Sequence, residues 1–199
     1  MTTITFAKAI NHGLRKALEQ SPKVLLMGED IGALGGVFRV TDGLQKDFGQ
    51  ERVVDTPLAE SGIVGTAIGL AMRGYRPVCE IQFDGFIFPA FDQITTQLAK
   101  MHYRSQGRLT LPVVIRVPYG GGIGAVEHHS ESPEALFAHT AGLRVISVEP
   151  GRGVHDDPAG HRVAGPGAVL RAEGPLLGEG RRRPGCRGRS PAPGARHGE

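Results

Sequence analysis

Residues 55–93 read DTPLAESGIVGTAIGLAMRGYRPVCEIQFDGFIFPAFDQ. One carboxylate, Glu60, stands at the start of an apolar helix predicted over about Gly62–Met72, packed with Gly and Ala so that neighbouring backbones can come close. Gly74 ends that helix, and a strand over Pro77–Phe83 carries Glu80-Ile81-Gln82-Phe83. Pro89 then opens an amphipathic helix to about Tyr103, with Phe91, Ile94, Leu98 and Met101 on one side. An acid with so little charge around it is costly to bury and calls for a reason.

Working outward, Thr5 is a predicted N-cap for a helix over Phe6–Glu19, where Phe6, Ala9, Ile10, Leu14, Ala17 and Leu18 recur at helical spacing. Ser21-Pro22 stops it. Val24–Met27 is a short apolar strand, the pattern of a sheet covered on both faces, and it ends in Gly28-Glu29-Asp30. Residues 31–50 read as a glycine-containing loop with a short helix around Leu44, followed by a second strand at Val53-Val54. Beyond the central stretch, Val113–Val117 is another apolar strand and Tyr119–Gly124 a glycine loop. Ser132-Pro133-Glu134 opens a helix to His139, and Leu143–Ile146 starts one more strand. This alternation predicts an α/β fold with a doubly wound, mainly parallel sheet, in which ligands sit at the carboxyl ends of the strands.

Glu29, Glu60, Gln82, Phe86 and His129 all fall at or just after predicted strand ends. Each alone has an ordinary explanation: a helix cap, a backbone hydrogen-bond partner, a core ring, a loop histidine. Their convergence on one rim points to a site. Gly120–Ala125 fits G-x-G-x-x-A after a strand, but a dinucleotide site needs a helix starting inside the motif, and the next helix signal is Ser132-Pro133. His128, His129 and His139 lack zinc-site spacing.

Charge is unevenly placed. Residues 1–150 carry 14 Lys and Arg against 15 Asp and Glu, whereas residues 151–199 carry 9 against 5. The basic character belongs to the tail and, without interleaved aromatics, argues against nucleic-acid binding. Two cysteines, Cys79 and Cys186, form no disulfide framework, which favours a reducing, cytoplasmic setting. The longest apolar run, Gly62 to Met72, is too short to span a bilayer, so no membrane partner is expected.

GEDIGALGGVFRVTDGL, DTPLAESGIVGTAIGLA, EIQFDGFIFPAFDQI and GAVEHHSESPEALFAHTAGLRV, in this order and spacing, resemble the β subunit of the 2-oxo acid dehydrogenase E1 component over residues 3–146. EIQF with IFPAFDQI and HHSESPEALFAH looks closer to the branched-chain 2-oxo acid enzyme than to its sister, pyruvate dehydrogenase. The resemblance implies a transketolase-like pyrimidine-binding domain, thiamine diphosphate, and a site shared between subunits. It makes Glu60 the acid that hydrogen-bonds the aminopyrimidine ring and promotes loss of the thiazolium C2 proton. Decarboxylation follows, and the acyl fragment passes to a lipoyl group on E2. A wall of Leu58, Ile63 and Val64 would favour a carboxyl group able to share a proton near neutrality. Glu29, Leu58, Gln82 and Phe86 would line the pyrimidine pocket, with Phe86 as a ring-stacking surface. His129 would serve substrate or lipoyl proton transfer. Backbone carbonyls at Leu111, Val113 and Val114 would supply half of a potassium (K+) site. GDG with a distant Asn, the pattern that holds magnesium (Mg2+) and diphosphate, is absent. That half is expected from an E1 α subunit, in a heterotetramer with a second β subunit.

After Ile146 the chain departs from the family and turns Gly-, Pro- and Arg-rich. Residues 149–199 are expected to form a disordered, non-native tail behind a domain at 1–148. Read one nucleotide out of frame, Val154–Gly178 permits Y-T-M-I, Q-Q-A-I-A-S and then P-D-P-V-L-F-F-E-P-K-x-R-Y-W-E, which resembles the family's continuation. A frameshift near Ser147–Arg152 is the expectation, and with it a sheet lacking an outer strand and an aggregation-prone product. The alternative of another class is an inactive fragment without catalytic function.

Overall fold

The computed structural model describes residues 4–120, 124–148 and 167–172. In chain order these form α1 (Phe6–Gln20), β1 (Val24–Gly28), α2 (Leu44–Phe48), β2 (Val53–Asp55), α3 (Glu60–Met72) and β3 (Arg76–Glu80). There follow a 3-10 segment (Asp84–Ala90), a π-helical segment (Gln93–Leu98), α4 (Ala99–Arg104), β4 (Val114–Val117) and a 3-10 turn (Glu127–His129). The last elements are α5 (Glu134–Ala138), β5 (Leu143–Val148) and β6 (Gly167–Ala172).

The strands form one sheet in the order β2-β1-β3-β4-β6-β5. The first four are parallel, and β6 runs antiparallel to both β4 and β5. The expected mainly parallel, doubly wound α/β sheet is therefore present. β1 shows why its sequence is apolar throughout. Leu25 and Met27 pack into one core with Ile63, Val64 and Ala67 of α3, while Val24 and Leu26 face the other side against Leu18, Ile31, Leu44 and Val53. Successive side chains of a strand point to opposite faces, and both faces are covered. Cys79 of β3 lies inside the larger core, where burial pushes its thiol pKa up to about 12.

Local chemistry sets the element ends. Thr5 Oγ1 accepts the Lys8 N–H at the start of α1, as its cap position requires. The helix expected to open at Pro89 begins five residues earlier, as a 3-10 segment with Pro89 inside it. Proline lacks an N–H and disfavours the α-helical ladder on its N-terminal side. Downstream, the Thr95 hydroxyl donates to the Phe91 carbonyl at 2.8 Å, taking the acceptor that a regular turn would offer to an N–H four residues on. The chain widens there into the π segment before regular α4 resumes.

Of the residues expected to form the tail, Gly167–Ala172 are a strand, inserted between β4 and β5 rather than leaving the sheet one strand short. The remaining residues of 149–199, Cys186 among them, lie outside the described residues. Among the described residues no helix is long and apolar enough to cross a membrane.

Candidate active site

β2 and β3 lie on opposite sides of β1, so the connection from β2 to β3 passes over β1 and the winding direction reverses there. A crevice forms at the carboxyl ends of strands at such a reversal. Glu29-Asp30 leave β1 on one side of it, and Ile81-Gln82-Phe83 leave β3 on the other.

Two acids meet in this crevice. Glu29 is 6% exposed and Glu60, the first residue of α3, is 8% exposed. Glu29 has its pKa raised above the ordinary carboxylate range, chiefly by burial and next by the nearby Glu60 charge; a hydrogen bond from the Ala59 N–H opposes this, and Asp30 adds to it. Glu29 Oε1 is buried with no hydrogen-bond partner. Ile63 and Val64 lie buried behind Glu60, but Leu58 is 79% exposed and does not join that apolar wall. It follows β2 in the short extended stretch before α3, where no strand or helix covers it.

Gln82 ties the two sides together. Its Nε2 donates to Asp30 Oδ2 at 2.9 Å and to the Glu29 carbonyl at 3.4 Å. Asp30 sits at φ 57°, the left-handed region that a side chain with a local hydrogen-bonding role tolerates best.

Next along the chain is a cluster of rings. Phe83 stacks on His129 with centroids 3.9 Å apart and planes 7° from parallel, and Phe86 meets both edge-on, at 5.5 Å from Phe83 and 5.2 Å from His129. His128 lies across Phe86 at 6.0 Å. His129 Nδ1 is buried without a hydrogen-bond partner. The approach is so close that a Cβ on Gly85 would stand 2.6 Å from the His128 carbonyl oxygen.

The structure thus brings Glu29, Glu60 and Gln82 together, and Phe86 with His129. Leu111, Val113 and Val114 lie at the amino end of β4, on the opposite edge of the parallel strands, and the Leu111 carbonyl accepts the Val113 N–H at 2.8 Å. Sequence reading gave no role to Asp30, to Phe83, or to the buried pair Glu80 and Arg116. Those two face each other in register across β3 and β4. Arg116 Nε donates to Glu80 Oε2 at 3.0 Å, and Nη2 stands 2.6 Å from Oε1 as a charge contact out of hydrogen-bond alignment. An acid at the buried end of β3 and a base within the otherwise apolar β4 were the available signal.

Compared with known proteins, the chain matches the family described as transketolase, pyrimidine binding domain, over residues 2–151. It is 71% identical over 145 residues to a protein of Leifsonia xyli subsp. xyli named pyruvate dehydrogenase E1 component subunit beta, covering 73% of this chain and 43% of that one. It is 54% identical over 144 residues to 3-methyl-2-oxobutanoate dehydrogenase subunit beta of Mycobacterium tuberculosis, covering 72% and 41%. A solved structure named split gene transketolase, inactive beta4 tetramer, shares the fold with a TM-score of 0.55 at 20% identity, over 74% of this chain and 44% of that one. The chain spans less than half the length of these relatives.

Proposed function

The chain belongs to the transketolase pyrimidine-binding domain family, and on that premise we propose that it is the acid-bearing, β-subunit side of a thiamine diphosphate-dependent 2-oxo acid dehydrogenase E1 component. The observation that carries this reading is the pair Glu29 and Glu60, buried together at the crevice with one carboxylate oxygen unpartnered. An aminopyrimidine ring offers the complementary donors and acceptors, so the residues present fit that part of the cofactor.

When bound, thiamine diphosphate supplies the electron sink for decarboxylation. The chain's own residues hold and move protons around it. Glu60 stands at a helix start, with Ile63 and Val64 buried behind it, and would exchange a proton with a ring nitrogen through its carboxyl group. Glu29, whose protonation burial favours, would accept or donate beside it. Gln82, fixed by Asp30, would orient the ring, and Phe86 would wall it, with Leu58 at the open side where a second chain closes over it. His129, holding one buried ring nitrogen against Phe83, would serve the substrate or lipoyl proton.

The diphosphate and Mg2+ would be held by an E1 α subunit, and a second β subunit and lipoyl-bearing E2 complete the partners. Carbonyls at Leu111, Val113 and Val114 are proposed as half of a K+ site. The substrate we propose from the EIQF and IFPAFDQI stretches is a branched-chain 2-oxo acid. Pyruvate is the second reading, favoured by the higher identity to the Leifsonia protein. Residues 1–148 form the pyrimidine-binding domain in this reading, incomplete at its C-terminal end, and 149–199 an out-of-frame replacement of its continuation.

The test is co-expression with an α-type partner and measurement of thiamine diphosphate-dependent CO2 release from each 2-oxo acid. Glu60→Gln should lower the rate about 100-fold or more while leaving assembly intact. Assembly with cofactor uptake but no Glu60 dependence would sink the assignment, and the absence of any turnover would favour the inactive fragment.

A further inference from the structure

At the carboxyl end of β3, in register with Gly28 just before Glu29, begins an ion pair that nothing above assigns to the chemistry. Glu80 and Arg116 are both almost fully buried, and their side chains meet across the last registered residues of β3 and β4. The chain that passes over them is the loop leaving β1. A Cβ on Gly36 would stand 3.2 Å from Glu80 Oε1 and 3.3 Å from Thr41 Oγ1, so the Gly36 backbone passes close by the carboxylate and the hydroxyl, with room for no side chain between, at a φ of +80° that suits glycine. Thr41 in turn donates to the Ile31 carbonyl at 2.7 Å. Close beside Glu80, the Gly36 N–H donates to the Asp30 carbonyl at 2.8 Å, and Asp30 Oδ2 accepts from Gln82.

We propose that the Glu80–Arg116 pair is a positioning device for the site: it fixes the Gly36 backbone, which holds Asp30 in its left-handed conformation and so aims Gln82. Among the described residues no hydrogen bond or ion pair joins Arg116 or Glu80 to Glu29 or Glu60, and the pair acts through this chain of neighbours. A buried pair of this kind adds little to net stability over an apolar replacement of similar size, so a role in placing the loop explains its presence better than a role in holding the sheet together. Its influence on the site rests on the cofactor reading given above; its influence on the loop does not.

The full chain is compared with a variant carrying Glu80→Met and Arg116→Met, which removes both charges and leaves neither one stranded, and with Glu80→Gln alone. Hydrogen exchange of the 30–40 segment is followed by mass spectrometry beside a thermal melt, and thiamine diphosphate affinity is measured on the complex with the α-type partner. The double variant should melt within a few degrees of the parent while the 30–40 segment exchanges about tenfold faster and cofactor affinity falls by a similar factor. Glu80→Gln should lose both loop protection and melting temperature. Unchanged exchange of the 30–40 segment in a folded double variant would overturn the proposal. Faster exchange with no cofactor uptake even by the parent complex would uphold the device and remove the cofactor reading instead.

Discussion

At Glu29, burial and two neighbouring acids outweigh one backbone hydrogen bond, and the sign of the effect on folding follows. A carboxyl group whose pKa rises on folding holds its proton more tightly in the native state. Its penalty is absent below the unfolded pKa and grows as pH rises through the folded one. Glu29→Gln should therefore raise the melting temperature at pH 7, and the gain should shrink towards zero near pH 4; a gain independent of pH would contradict the assignment. Gly85 gives a second prediction. Its missing side chain admits the His128 carbonyl, so Gly85→Ala should cost roughly 1–3 kcal/mol by overpacking, visible in the denaturation midpoint, and should loosen the Phe83–His129 stack. That Glu29 and Gln82 follow the carboxyl ends of strands, with His129 beyond the loop after β4, was legible in the sequence. Their convergence with Glu60 on one rim was expected too, but which strands are neighbours was not, because strand order, here β1 between β2 and β3, leaves no local mark on the sequence. Leu58, read as wall beside the acid, is 79% exposed and stays uncovered among the described residues.

Elements were easiest to read where one interaction dominates. The Thr5 cap, the apolar β1 and the Gly- and Ala-rich α3 all stand within a residue or two of their expected places. The segment after β3 was misread because proline was taken as a helix opener, whereas backbone and hydroxyl groups around it select 3-10 and then π geometry. Charged residues inside elements also went unread. Arg52, just before β2, donates through Nε to the Val24 carbonyl and through Nη2 to the Leu18 and Ser21 carbonyls, so it closes the α1–β1 turn onto β2. Arg52→Ala leaves those acceptors without their charged donor and should cost about 2–4 kcal/mol, measured by urea denaturation. Arg116→Met alone, which strands Glu80 in the core, should cost about 3–5 kcal/mol. The double replacement should recover most of it, and an equal loss in both would show that the pair's attraction, not desolvation, dominates.

On the scale of the whole molecule, the alternation of strand and helix made the doubly wound parallel sheet legible as far as β5. The antiparallel β6 was hidden because the residues around it lack any apolar period. The out-of-frame reading of Val154–Gly178 places V-L-F-F-E-P, apolar in its first four residues, on positions 167–172, the same six positions that form β6. It predicts that the product isolated from its own cells will have an intact mass well above 21.1 kDa; a mass of 21.1 kDa would mean the chain is made as written. The position of β6 also imposes an order on synthesis. β5 leaves the ribosome before β6, yet every ladder bond that ties it to the sheet runs through β6. Until residues 167–172 emerge, the nascent chain keeps β4 as an open edge and β5 as a strand with no berth, so this interval is when a chaperone would have most to hold.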